Sequence, residues 1–141
     1  MKTDEKEVSV RADVEKNRLY TTLKGVLTEK DIAALHDDLR REAGKLKPGY
    51  IAISDVREYN PSGEGMNKII SKTMEAAVET GVGKVIRIVS GEGGVDMQNI
   101  SKSEHGYEAV ICRSPSEAEK EADILFGDRT GTNHGSVISL S

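Results

Sequence analysis

Tyr50-Ile51-Ala52-Ile53-Ser54-Asp55-Val56, followed by Arg57-Glu58-Tyr59-Asn60-Pro61-Ser62-Gly63-Glu64-Gly65-Met66, decides how this chain folds. Residues 50–56 form a near-continuous apolar run bounded by polar residues, the mark of a strand buried on both faces. A polar loop follows. From about Glu64 to Thr80 the apolar residues Met66, Ile69, Ile70, Met74, Ala77 and Val78 recur at helical spacing. A strand that feeds a helix through a polar loop is the unit of α/β folds, which place their sites at the carboxyl ends of strands. Ser62 is predicted at the mouth of the helix, where free N–H groups favour a hydroxyl or a negative charge.

Working outward, the same alternation of periods continues. Val8, Val10, Ala12 and Val14 alternate with polar residues, as in a half-buried strand. Lys16-Asn17 turns the chain, and 19–27 returns as a second strand, giving an antiparallel hairpin. Thr28 caps a helix, with Asp31 placed to complete a capping box. Ile32, Leu35, Leu39 and Leu46 form its apolar stripe, and Lys45, Lys47 and Pro48-Gly49 stop it. Gly81 suits the left-handed end of the second helix. A strand over 84–89 precedes the glycine-rich loop Ser90-Gly91-Glu92-Gly93-Gly94. Val95, Met97 and Ile100 predict a short third helix ending before His105-Gly106, and 107–112 a fifth strand. Ser114-Pro115-Ser116-Glu117 starts a last helix carrying Ala118, Ala122, Leu125 and Phe126.

The order β-β-α-β-α-β-α-β-α predicts one α/β domain with a mostly parallel sheet of about five strands and packed helices. Residues 1–7 read as an extension, 8–126 as the domain and 127–141 as a polar, flexible tail. Ile51, Ile53, Ile69, Ile70, Val85, Ile88 and Ile111 are the expected core.

Composition narrows the function classes. The 141 residues carry 24 Asp plus Glu against 20 Lys plus Arg, which argues against bulk binding of nucleic acid or anionic membrane. A single cysteine, Cys112, suits a reducing compartment, and neither a secretory signal nor a bilayer-length apolar run is present. The expectation is a cytoplasmic protein.

The element order, with Ile51-Ala52-Ile53-Ser54-Asp55-Val56 leading through Ser62-Gly63 to Met66, resembles the STAS domain. This is the fold of bacterial anti-sigma factor antagonists and of the cytoplasmic part of sulfate transporters. The resemblance spans residues 8–126. It implies a regulatory module that meets a protein partner, an anti-sigma factor or a kinase-like regulator, at the loop before the second helix. In phosphorylated members that loop reads Asp-Ser-Ser-Gly. Here it reads Asn60-Pro61-Ser62-Gly63, so the resemblance puts Ser62 at the phosphoacceptor position, with Asn60 and Pro61 replacing the acid and the first serine. The implied contact residues are Asn60, Ser62, Gly63, Glu64 and Met66. A phosphate on Ser62 would be favoured by the helix dipole and opposed by Glu58 and Glu64. A simpler role for Asn60 and Ser62 is to cap the helix and shape the loop.

Other groups are weaker candidates. Ser90, Gly91, Gly93 and Gly94 supply N–H groups that suit an anion, but Glu92 repels phosphate, no Walker lysine is present, and glycine clusters chiefly form turns. His36, His105, His134 and Cys112 have no metal spacing, and no cofactor motif appears. Cys112 reads as a core residue. Asp55 and Glu58 are surface carboxylates unless a substrate pocket faces them. Arg40, Arg41, Lys45 and Lys47 share a mixed face with Asp37, Asp38 and Glu42. With no nucleophile–base–orienter set, the chain is read as non-catalytic. The alternative to a partner module is a STAS-like module holding a small or apolar ligand between helix and sheet. A partner module predicts an exposed apolar patch near Ser62, a ligand module an enclosed pocket.

Overall fold

A computed structural model describes residues 6–61, 65–90 and 95–130. Nine elements follow in the predicted order: β1 (Glu7–Asp13), β2 (Arg18–Leu27), α1 (Glu29–Ala43), β3 (Tyr50–Pro61), α2 (Met66–Glu79), β4 (Val82–Ile88), α3 (Val95–His105), β5 (Val110–Cys112) and α4 (Pro115–Thr130). Together they make a single α/β domain around one five-stranded sheet of order β1-β2-β3-β4-β5. The β1–β2 hairpin is antiparallel, and every later pair is parallel. Helices α1, α2 and α3 lie on one face and α4 on the other.

Strand alternation sorts the core between these faces. Leu19, Leu23, Leu27, Tyr50, Ala52, Val56 and Val85 meet α1–α3, whereas Ile51, Ile53, Ile86, Ile88 and Cys112 meet Ala118 and Ala122 of α4. The α1 start is the predicted capping box: Thr28 Oγ1 accepts from the Asp31 N–H, and the Asp31 carboxylate accepts from the Thr28 N–H. Gly81 ends α2 at φ +97°, a conformation that side chains disfavour. Ser114 accepts from the Glu117 N–H at the start of α4.

Several expectations need correction. β3 does not end at Val56 but runs on to Pro61, pairing with β2 through Leu27. Two β2 steps, Thr22 to Lys24, oppose three β3 steps, Asp55 to Glu58, so a bulge lies at Val56-Arg57. Beyond Asp55↔Ile88 the strand has no β4 neighbour. It becomes an edge, where exposed Arg57, Glu58 and Asn60 and a terminal proline are admissible. The second helix begins at Met66 with Gly65 as its N-cap and no side-chain cap bond, so neither Ser62 nor Asn60 holds the cap position. α1 ends at Ala43, before Leu46. β5 is only three residues long. The segment 127–130 belongs to α4.

Of the expected core, Ile51, Ile53, Ile70, Val85 and Ile88 are buried. Ile69 is only partly buried, because Met66, Ile70 and Met74 hold the inward face of α2. Ile111 is 40% exposed: it stands beside Arg87 on the edge strand, while α4 covers the opposite face.

Candidate functional site

The parallel course of β2, β3 and β4 brings their carboxyl ends to one edge of the sheet. β2 and β3 continue past β4 there as a two-stranded ribbon. Val26 and Asn60 are side by side in its register, and Val26 is 51% exposed. The neighbouring Leu27 turns inward and is fully buried, so the ribbon is anchored by one face and open on the other. Arg57 in the bulge reaches back to Asp55 with two bonds, Nε to Oδ1 at 2.9 Å and Nη2 to Oδ2 at 2.7 Å. That pairing holds the Asp55 carboxyl below its usual range and removes Asp55 as a free general base.

Of the predicted contact residues, Asn60 is exposed at the ribbon end. Met66 is 2% exposed and packs in the core. Ser62, Gly63 and Glu64 lie outside the described residues, as do Gly91, Gly93 and Gly94. Ser90 is exposed after the end of β4, on the same edge. The sequence reading missed Glu29. Its carboxylate, from the first turn of α1, presses against Gly65, 2.3 Å from where a β-carbon would stand. An acid thus already sits at the N-terminus of α2, whose own first turn has none.

A second constellation lies between α2 and α3. Ser71 Oγ donates to a Glu104 carboxylate oxygen and lies 3.0 Å from His105 Nε2. The order is wrong for nucleophile activation. The acid accepts the serine's hydrogen bond instead of orienting the imidazole. No group of three His, Cys, Asp or Glu among the described residues can hold a metal ion. None of the described helices is long and apolar enough to cross a membrane. At the end of α1 and just beyond it the basic residues are paired, Arg41 with Asp38, Arg40 with Glu79 and Lys45 with Glu42.

Two hollows lie among the described residues. An open depression of about 140 Å³ lies beside the start of α4, walled by Tyr20, Thr22, Asp55, Pro115 and Glu119. Both acids are committed to arginines, Asp55 to Arg57 and Glu119 to Arg18. A cavity of about 70 Å³ lies between the sheet and α1–α3, walled by Leu23, Leu35, Ile70, Met74, Met97 and Arg87 among others. Arg87 is 3% exposed. The signal for it in the sequence is an arginine inside the apolar run Val85-Ile86-Arg87-Ile88-Val89.

No protein-family model matches this sequence, and no curated protein does. Among solved structures the chain is similar to an uncharacterised protein of the DUF3478 family with a SpoIIAA-like fold from Shewanella loihica. The TM-score is 0.62 at 15% identity, covering 86% of this chain and 98% of that one. The likeness establishes the fold, a SpoIIAA-like architecture.

Proposed function

We propose that this chain is a non-catalytic regulatory module that contacts a protein partner through the end of the β2–β3 ribbon and the loop before α2. Val26 carries the reading. It is a large apolar side chain left half exposed beside Asn60, at the place where the STAS resemblance puts the partner surface. An anti-sigma factor or kinase-like regulator is the partner class that the resemblance implies. In this reading Ser62 is a conditional phosphoacceptor. In this reading modification adds charge to the contact just before a helix start where Glu29 already supplies an acid.

The test is capture of partners from the native cell with the wild-type chain and with Val26→Lys as bait. A specific partner held by the wild type and lost with the folded variant supports the reading. A partner held equally by both removes the ribbon from the contact.

The cavity favours a second reading, in which the module holds a small or apolar ligand between helix and sheet. Its walls are mostly aliphatic side chains and methionines, and its volume exceeds the roughly 10–15 Å³ that one water needs.

A further inference from the structure

Among the described residues two arginines are buried, and they are treated differently. Arg18 is answered by two carboxylates, Glu119 at 2.6 Å and Asp123 at 2.7 Å. Arg87 has no acid beside it: no carboxylate of a described residue lies within ion-pair distance. Its Nη1 donates to Gln98 Oε1 at 3.1 Å, and the Tyr107 hydroxyl is its other polar neighbour. Gln98 is itself fixed, because its Nε2 donates to the Ala109 carbonyl and its Oε1 accepts from the Ala109 N–H. The guanidinium is therefore positioned by a neutral clamp. Burial pushes its pKa down from the ordinary arginine value, yet an arginine keeps its proton at neutral pH. A full positive charge is held in the cavity wall with no carboxylate of a described residue to meet it. Such a charge is strongly unfavourable unless something compensates it.

The rest of the wall specifies what compensates it. Leu35, Ile70, Met74 and Met97 offer apolar surface, and Thr21 and Ser54 add hydroxyls from the sheet. A hydrated inorganic anion gains nothing from such walls. An alcohol or hydrocarbon leaves the guanidinium unanswered. We infer that the cavity takes a small monocarboxylic acid, with its carboxylate on Arg87 and its aliphatic or aromatic body against Met74 and Met97. This deepens the second reading above and rests on it. The planar fork of the guanidinium matches a carboxylate through two parallel bonds. The volume, about half that of a cavity known to admit benzene, keeps the body short, on the order of three carbons.

The experiment titrates the full chain with butyrate, butanol and inorganic phosphate, following the methyl NMR signals of Met74 and Met97. Butyrate should shift them saturably and bind at least about tenfold more tightly than butanol, while phosphate leaves them unmoved. Arg87→Met keeps an unbranched apolar stem without the guanidinium and should bind both organic probes equally. Equal binding of butyrate and butanol by the wild type overturns the anion assignment and leaves an apolar cavity. No shift with either overturns both the assignment and the ligand reading. Phosphate shifting the signals as butyrate does reassigns Arg87 to an inorganic anion and also overturns it. If Arg87→Met does not fold, Arg87→Lys retains the charge but loses the fork, and about a tenfold loss of butyrate affinity with butanol unchanged is the supporting result.

Discussion

Arg18 on β2 and Asp123 on α4 are 105 residues apart in the chain and 2.7 Å apart in space. Arg18 is 1% exposed in its side chain and Asp123 is 67% exposed, so the guanidinium reaches from beneath the helix to its outer side. Glu119, four residues before Asp123, takes the other Nη at 2.6 Å. Buried arginine is often as much packing as charge. Arg18→Met is therefore expected to fold with stability near that of the wild type, since both acids return to water. Arg18→Ala, which also empties the space, should lose about 2–3 kcal/mol. Equal urea midpoints for the two variants would contradict the packing role.

Acid should unfold this domain earlier than its neutral core suggests. The Arg18 bond holds the Asp123 carboxyl below its usual range, as Arg57 does for Asp55, the Thr28 N–H for Asp31 and Lys45 for Glu42. A group whose folded pKa is depressed contributes stability that is complete above its unfolded pKa, about 4, and is lost as pH falls through the folded value. The denaturation midpoint should hold down to about pH 5 and then fall toward pH 2. In Arg18→Met that fall should be shallower. A midpoint unchanged down to pH 2 would sink the idea.

Ile53 and Ile111 make a matched pair. Ile53 is 4% exposed beneath α4, and Ile53→Ala should lose about 2–5 kcal/mol. Ile111 is 40% exposed, and Ile111→Ala should lose less than about 1 kcal/mol. Chemical denaturation of both variants checks the placement, and a reversed order would refute it.

Gly83 is irreplaceable for a reason that lies in another segment. A β-carbon there would stand 2.7 Å from the Gly49 carbonyl oxygen and 2.9 Å from the Gly49 α-carbon. That backbone is tied in place by the Gly49 N–H to the Gly81 carbonyl at 2.6 Å. Gly83→Ala should lower stability by about 1–3 kcal/mol, because the obstacle is main chain. An unchanged thermal midpoint would show that the two segments separate freely.

The partner reading turns on charge at Ser62. Ser62→Asp should weaken partner binding by more than about tenfold, and Ser62→Ala should leave it nearly intact. Glu29→Gln in the Ser62→Asp background should recover part of the loss, since it removes the acid pressed against Gly65. Equal binding by all these forms, measured calorimetrically with a captured partner, would leave Ser62 a structural residue.

Where a segment contributes its own periodicity, the fold is legible in the chain. The Thr28–Asp31 box, the Gly81 stop and the alternation from Val8 to Ala12 are local signals that stand where they were expected, whereas Val14 falls past the end of β1 and is exposed. The misses arise where a neighbour decides. Arg57-Glu58 looks like loop because polar residues do not suit a central strand, but β4 stops short and turns that stretch into an edge. Ile111 looks like core because nothing in its own segment says that no helix covers that side of β5. Glu29 and Gly65, Arg18 and Asp123, and Arg87 and Gln98 are all pairings between segments. A single chain shows the members of such pairs and not their meeting.

The strands lie in the sheet in the order in which they occur in the chain. During synthesis each strand of the growing protein therefore meets a finished neighbour on its N-terminal side. The nascent sheet has one advancing border, with no gap to be filled later. The last helix is different, because its acids fasten to an arginine made about a hundred residues earlier. Until residues 119 and 123 leave the ribosome, the face bearing Ile51, Ile53 and Ile86 has no cover from α4. Emergence of α4, more than completion of the sheet, should set when the newborn protein stops attracting chaperones. Ribosome-stalled chains with residues 1–112 outside the tunnel should be cleaved by protease and bound by trigger-type chaperones far more readily than chains that have also extruded α4.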